Sequence, residues 1–399
     1  MFREILLAPD RDRESGAWPV VSLSQAEDFD FQSEVNRRSI RRVELRRRGR
    51  DHGAWAVLHP EGLAPARVRP KRARAKLMER YFAARPIVFR GALPSSAGLD
   101  PCGSTAATLA EAGALGNWLS GRLPEGFETL PHAVELYDPE RDLERILVRF
   151  EEKRIWVKTS RLSTDERDRS LRLRISFGEE GSDDASRDES RHRAVAALGR
   201  ALFPSVQGLE AECALRGTLE EFLGGAVLFT QHIGYWNAPE GGALFHHDAF
   251  DESVEGGQRG VLYVQLDGST AWLALSIEDL ALRVREFAGW FAEDELVELA
   301  AELFTPTFSR DACLELSEDY RGLRRELALP GCGRLAPLVN RGPEFTGFLA
   351  DAGHASVLEP GDAILLPNHG YARTAMHSVF CAGEETGLGL SLALRRRAE

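Results

Sequence analysis

The sequence predicts a mixed α+β protein whose C-terminal half is an antiparallel β-sandwich or small barrel, with helices flanking it and inserted into it. Three observations carry that expectation. From residue 227 onward, apolar strand-like segments follow one another at short intervals with glycine-rich turns between them, a spacing that suits sandwiches and barrels. Between residues 145 and 178, apolar and charged residues alternate, as on antiparallel strands with one buried face. A stretch with Leu280, Val284, Phe287 and Phe291 at helical spacing interrupts the β pattern and reads as an insertion.

In chain order, residues 1–80 mix short strand-like pieces, around 44–46 and 54–58, with basic clusters, and are set apart as an N-terminal segment from a domain spanning 81–399. Residues 73–84 read as a helix because Leu77, Tyr81 and Phe82 recur at helical spacing. Arg85-Pro86-Ile87-Val88-Phe89-Arg90-Gly91 is a strand entered through proline and closed by glycine, and a helix is expected over 105–119. Strands are expected at 145–150 and 171–177. Residues 179–193 are polar and charged, so a loop or a linker leading into a helix is expected there. Strands at 227–230, 243–246, 260–266 and 272–275 come next, then helices within 277–304 and 318–328. Strands resume at 355–358, 363–366, 376–380 and 388–394.

Composition sets the bounds. A 43% hydrophobic fraction in 399 residues is enough apolar mass for a sizeable core, and no apolar run reaches the length of a membrane helix. The beginning, Met1-Phe2-Arg3-Glu4-Ile5-Leu6-Leu7, is too short and too acidic for a secretory leader. The five cysteines, Cys102, Cys213, Cys313, Cys332 and Cys381, are scattered and odd in number, which points to reduced thiols and a cytoplasmic location. The net charge is −12, yet residues 37–50 hold eight arginines and one acid, Glu44. With the cluster Arg67, Arg69, Lys71, Arg72, Arg74 and Lys76, this segment is either solvated surface or a patch for RNA or another acidic partner.

The chemistry concentrates at Phe245-His246-His247-Asp248 and at Met376-His377-Ser378-Val379. His246 and Asp248 are two apart on an extended segment, so they leave the same face and can reach one ion, while His247 points the other way. A distant His377 completes a two-histidine, one-carboxylate set, the arrangement that holds a divalent metal on one side and leaves the other side open. His369 is an alternative third ligand. His354, beside a glycine in a turn, reads as surface, and His232 reads either as a pocket residue or as core. Tyr263 and Trp272 have the parity to face a barrel interior.

These pieces stand in an order that resembles the Jumonji-C and cupin-like iron(II) and 2-oxoglutarate oxygenases. The 85–91 strand resembles the one that opens such domains. His246-x-Asp248 resembles the first ligand pair, Val264 to Trp272 the strand carrying a Gly-x-Lys-x-Trp pattern, and Glu359-Pro360-Gly361-Asp362 through Pro367 with His377-Ser378-Val379 the closing strands. The resemblance covers roughly residues 75–395. It implies a double-stranded β-helix, the jelly-roll or cupin barrel, with an insertion at about 277–350 that could serve as lid, substrate platform or dimer surface. It also implies Fe(II) on His246, Asp248 and His377, 2-oxoglutarate as cosubstrate, and hydroxylation or oxidative demethylation of a peptide or protein side chain or a small metabolite. Ser391 resembles a polar pocket position of the family.

One position departs from the family pattern. Thr270 stands where the family carries the lysine that pairs with the far carboxylate of 2-oxoglutarate, and a threonine cannot neutralise that charge. Arg373, four residues before His377, is the first candidate for the missing cation if its strand runs without a bulge, ahead of Arg395 and Arg259. Two other classes compete: a metal-dependent cupin enzyme that does not use 2-oxoglutarate, which the missing lysine favours, and a barrel that binds without catalysing.

Overall fold

The computed structural model describes residues 74–93, 107–111, 113–130, 142–162, 169–176, 189–239, 241–249, 257–290, 310–341, 345, 348–349, 352–381 and 385–397, together with the backbone of five short strands before residue 70. Those five are β1 (Glu4–Leu7), β2 (Val21–Gln25), β3 (Val43–Arg47), β4 (Arg50–Asp51) and β5 (Ala66–Val68). Then follow β6 (Ile87–Arg90), β7 (Phe127–Leu130), β8 (Asp142–Phe150), β9 (Lys153–Arg161), β10 (Leu171–Ser176), β11 (Val227–Asn237) and β12 (Gly242–His246). The last six are β13 (Gly260–Asp267), β14 (Thr270–Ser276), β15 (Ala355–Leu358), β16 (Ala363–Pro367), β17 (Ala375–Cys381) and β18 (Gly387–Arg396).

Two antiparallel sheets organise the chain. The larger has eleven strands in the order β5-β1-β6-β16-β13-β18-β11-β10-β9-β8-β7, and the smaller has four in the order β12-β17-β14-β15. From β11 onward the chain passes repeatedly from one sheet to the other, so β11, β13, β16 and β18 lie in the large sheet and β12, β14, β15 and β17 in the small one. Apolar side chains of both sheets meet between them: Val88, Val261, Tyr263, Ile364 and Leu366 from the large sheet, Trp272, Ala274, Ala375 and Val379 from the small.

Each sheet has a helical layer behind it. The helices Arg74–Phe82, Ala114–Ser120, Glu189–Leu202, Ser205–Ala211 and Cys213–Leu223 cover the outer face of the large sheet through Leu173, Ile175, Leu390 and Leu392. The helices Ile277–Trp290, Arg310–Glu318, Tyr320–Leu327 and Ala336–Arg341 cover the outer face of the small sheet through Leu273, Leu275 and Met376. This burial is the dominant favourable term for such a layered fold. The described part of the insertion therefore builds core behind the small sheet.

Most expected elements appear with ends shifted by a few residues. The helix expected over 105–119 is broken: Gly113 adopts φ 79°, a left-handed conformation, and the regular helix is Ala114–Ser120. The linker expected to lead into a helix is already helical from Glu189, and the helices Ser205–Ala211 and Cys213–Leu223 that follow have no counterpart in the sequence reading. The polar opening of the helix Glu189–Leu202 hides the stripe Val195, Leu198 and Leu202 that packs onto β11. The strand expected at 54–58 and most of the basic clusters lie outside the described residues. Among the described residues no helix is long and apolar enough to cross a membrane.

Candidate metal centre

β12 and β17 are neighbours in the small sheet, and their register places His246 directly opposite His377. The ladder shifts between Ala243 and His246, and β12 ends at His246, so Asp248 lies just past the strand. One ligand atom from each of His246, Asp248 and His377 falls within 4.8 Å of the others. The two imidazole centroids are 4.2 Å apart, and His377 Nε2 is 3.7 Å from Asp248 Oδ2.

The tautomers follow from the hydrogen bonds. His246 Nδ1 lies 2.6 Å from the Leu244 carbonyl, which can only accept, so Nδ1 carries the proton and Nε2 keeps its lone pair. His247 turns away, as expected: its Nε2 donates to the Ala328 carbonyl at 2.9 Å and its Nδ1 accepts from the Ala249 N–H at 3.2 Å. Burial, with help from His246, pushes His377 down to about 3, so its imidazole is neutral at physiological pH. Burial alone would raise the Asp248 carboxyl, but the fields of His377, His246, His247 and Arg174 outweigh it and hold the group below its ordinary value. Two imidazoles and one carboxylate form the donor set that suits a first-row divalent ion such as iron(II).

Neighbouring elements hold these ligands in place. Asn340, at the end of the insertion, accepts the Phe245 N–H at 2.8 Å, and the Cys332 thiol donates to the Phe245 carbonyl at 3.6 Å. The Asp248 carbonyl accepts from Gln258 Nε2 at 3.2 Å and from Asn368 Nδ2 at 3.3 Å. Sequence reading missed Asn340, Gln258 and Asn368. Asn340 and Asn368 act on partners 95 and 120 residues away, so no local pattern marks them.

Tyr263 and Trp272 face the space between the sheets and form a wall beside the triad. Their rings are 4.7 Å apart, and the Trp272 ring stacks near His377 at 5.6 Å. Ser391 lies opposite Tyr263 on β18 and is only partly buried between buried neighbours. Thr270 is wholly buried: its Oγ1 donates to Gln265 Oε1 at 2.6 Å and accepts from Trp272 Nε1 at 2.9 Å.

Most of the other candidates go elsewhere. Arg373 is exposed in the turn between β16 and β17, where Nη1 donates to the Phe82 carbonyl at 3.4 Å, and the structure does not bring it to the triad. The parity argument fails because β17 begins only at Ala375, and the turn resets the alternation. Arg259, just before β13, and Arg395, near the end of β18, share the parity of Val261, Tyr263 and Ser391, which face the small sheet; Arg259 Nη1 donates to the Gln258 carbonyl at 3.3 Å, and Arg395 is buried. His369 Nε2 pairs with the Tyr81 carbonyl at 2.9 Å, away from the triad. His354 is buried, not at the surface: the helix Ile277–Trp290 covers it, and Arg283 Nε donates to its Nε2 at 3.2 Å. His232 is core, packed under Gly199 and beside Phe203 on the outer face of the large sheet.

No protein-family model and no curated protein matches the chain. Among solved structures it is similar to YcfD, a ribosomal oxygenase from Escherichia coli, at 13% identity and TM-score 0.26, over 80% of this chain and 50% of that one. A second E. coli YcfD structure matches at 13% identity and TM-score 0.27, over 80% and 52%. A third, of the E. coli ribosomal oxygenase YcfD, matches at 14% identity and TM-score 0.25, over 80% and 51%. The chain spans about half the length of these structures. At such TM-scores the functional reading rests on the site itself.

Proposed function

We propose that this chain is a metal-dependent oxygenase built on a double-stranded β-helix. In this reading His246, Asp248 and His377 hold Fe(II), 2-oxoglutarate is the cosubstrate, and a peptide or protein side chain or a small metabolite is hydroxylated or oxidatively demethylated. The observation that carries it is the cross-strand meeting of His246 and His377 with Asp248 between the two sheets. The alternation of eight strands between the sheets supports the barrel reading.

The metal, when bound, supplies the redox chemistry and the open positions for cosubstrate and O2. The chain's own residues have simpler tasks. His246 and His377 present ring nitrogens, that of His377 without a proton to displace, and Asp248 supplies the negative charge. Tyr263 and Trp272 keep water from one side of the site and fix the His377 ring. Ser391 offers a hydroxyl to whatever lies between the sheets.

The second reading, a metal-dependent cupin enzyme without a keto-acid cosubstrate, draws on Thr270, whose hydroxyl is already committed to Gln265 and Trp272. Anaerobic titration of the protein with iron(II) and then 2-oxoglutarate separates the two. The expected result is a weak visible charge-transfer band that is lost in His246→Ala and in Asp248→Ala. Iron binding with no band on adding 2-oxoglutarate would shift the assignment to the second reading.

A further inference from the structure

β10 runs beside β11, one strand beyond the barrel. Its Leu171, Leu173 and Ile175 are buried under the helices, so the alternate residues Arg172 and Arg174 project from the opposite face, the side of Tyr235 and Tyr263. Read across the sheet, Arg145, Lys158 and Arg174 are successive cross-strand partners, and the same row continues through Ile233 and Ser391 to Tyr263. The adjacent row is Asp142, Ser160, Arg172, Tyr235 and Gly389.

Like charges directly opposite one another destabilise a sheet. Here four cations occupy two neighbouring rows, with Asp142 as the acid among them, its Oδ1 3.2 Å from Lys158 Nζ. Arg172 Nε donates to Ser160 Oγ at 3.1 Å, and the Gln231 amide, oriented with its oxygen toward Arg174, accepts from Nη2 at 2.6 Å and Nε at 3.2 Å. Ser160 and Gln231 are neutral, and the two rows themselves hold four cations against the single acid Asp142. Burial lowers the pKa of Lys158 and of Arg172, and repulsion from Arg174 adds to the effect in both. The excess leads toward the triad: the field of Arg174 reaches Asp248, and the wall continues from Tyr235 to Tyr263 at 6.4 Å between centroids.

We infer that Arg172 and Arg174, backed by Lys158, form an anion-binding wall of the triad pocket, and that a ligand drawn to the triad carries a carboxylate held there. Thr270 is sealed and Arg373 lies on an outer turn, so neither offers a cation to the triad pocket, whereas the field of Arg174 reaches Asp248. The carboxylate belongs either to the far end of the cosubstrate or to the substrate. The inference rests on the proposed function for the metal.

The test is isothermal titration of the Mn(II)-loaded full-length protein with three probes. These are 2-oxoglutarate, 2-oxobutyrate with the same chelating end and no far carboxylate, and glutarate with two carboxylates and no keto group. If the carboxylate is the cosubstrate's, Arg174→Ala weakens 2-oxoglutarate about tenfold or more and leaves 2-oxobutyrate and Mn(II) unchanged. If it is the substrate's, the same loss falls on glutarate binding to the protein holding Mn(II) and 2-oxoglutarate. Arg174→Lys keeps the charge without the two-pronged geometry and should retain part of the affinity. Equal affinity of wild type, Arg172→Ala and Arg174→Ala for both 2-oxoglutarate and glutarate would overturn the inference, as would a wild type that binds neither. Failure of the metal reading looks different: Mn(II) would bind His246→Ala as well as wild type, and glutarate titrated into the metal-free protein and into metal-free Arg174→Ala would still test the wall.

Discussion

Arg90 and Asp362 lie 272 residues apart and form a buried ion pair, with Nη1 2.6 Å from Oδ2 and Asp362 wholly inaccessible. Asp362 Oδ1 also accepts the Gly91 N–H at 2.8 Å, and Oδ2 accepts the Glu359 N–H at 3.1 Å. The carboxylate thus locks the Pro-Gly-Asp turn onto the end of β6, beside the ladder that pairs β6 with β16. Asp362→Ala removes the counter-charge of a mostly buried guanidinium and the acceptor of two backbone N–H groups. The expected loss is about 3–5 kcal/mol in urea unfolding, the range for removing one partner of a buried pair. A loss below about 1 kcal/mol would mean that the pair behaves as a solvent-exposed one.

A metal that binds the folded chain and not the unfolded one must raise the unfolding temperature. At a hundredfold excess over its dissociation constant the gain is about 2.7 kcal/mol. Thermal unfolding with Mn(II) should show that gain in wild type and none in His246→Ala or His377→Ala, and chelator should reverse it. An equal shift in the histidine variants would place the metal elsewhere.

His232 makes stability depend on pH. Burial pushes its imidazole from 6.5 down to about 3, and Arg200 adds to the shift. Above pH 6.5 both the folded and unfolded states hold it neutral, so it adds no slope there. As pH falls from 6.5 toward 3, the unfolded chain takes up a proton that the folded chain refuses, and stability drops by up to about 1.4 kcal/mol per pH unit. His354 and His377 act in the same direction. Urea unfolding at several pH values between 7.5 and 4.5 should show His232→Gln losing less stability on acidification than wild type. Parallel pH profiles would rule out the buried neutral state.

Gly389 is where the Tyr263 ring finds room. A Cβ there would stand 1.8 Å from the Tyr263 hydroxyl oxygen and 2.0 Å from Cζ. Gly389→Ala should therefore cost about 1–3 kcal/mol by overpacking. Because the clash is with one side chain, Gly389→Ala in a Tyr263→Ala background should cost less, with a coupling of at least about 0.5 kcal/mol in a double-mutant cycle. Additive effects would mean that Tyr263 does not occupy that space.

Much of the architecture is legible locally. Period-two alternation marks β8, β10 and the strands from β11 onward, and helical spacing marks Arg74–Phe82 and Ile277–Trp290. The His-x-Asp pair could be read for the same reason, since two residues apart on extended chain means one face. His354 could not, because its burial comes from Arg283 on an inserted helix 71 residues earlier. Arg373 was misplaced because parity counts only within a strand, and the turn after Pro367 breaks the count.

The sequence by itself determined most of the segments that become strands and helices, which residues can ligate a metal, and that the usual lysine is missing at Thr270. Those are properties of residue type and of spacing within one element. Only the tertiary structure decided that His246 stands opposite His377, that the insertion buttresses β12, and that Arg145, Lys158 and Arg174 fall into one row leading toward the triad. Such relationships depend on which strands pair and in what register, and register is set by burial of whole faces against distant elements.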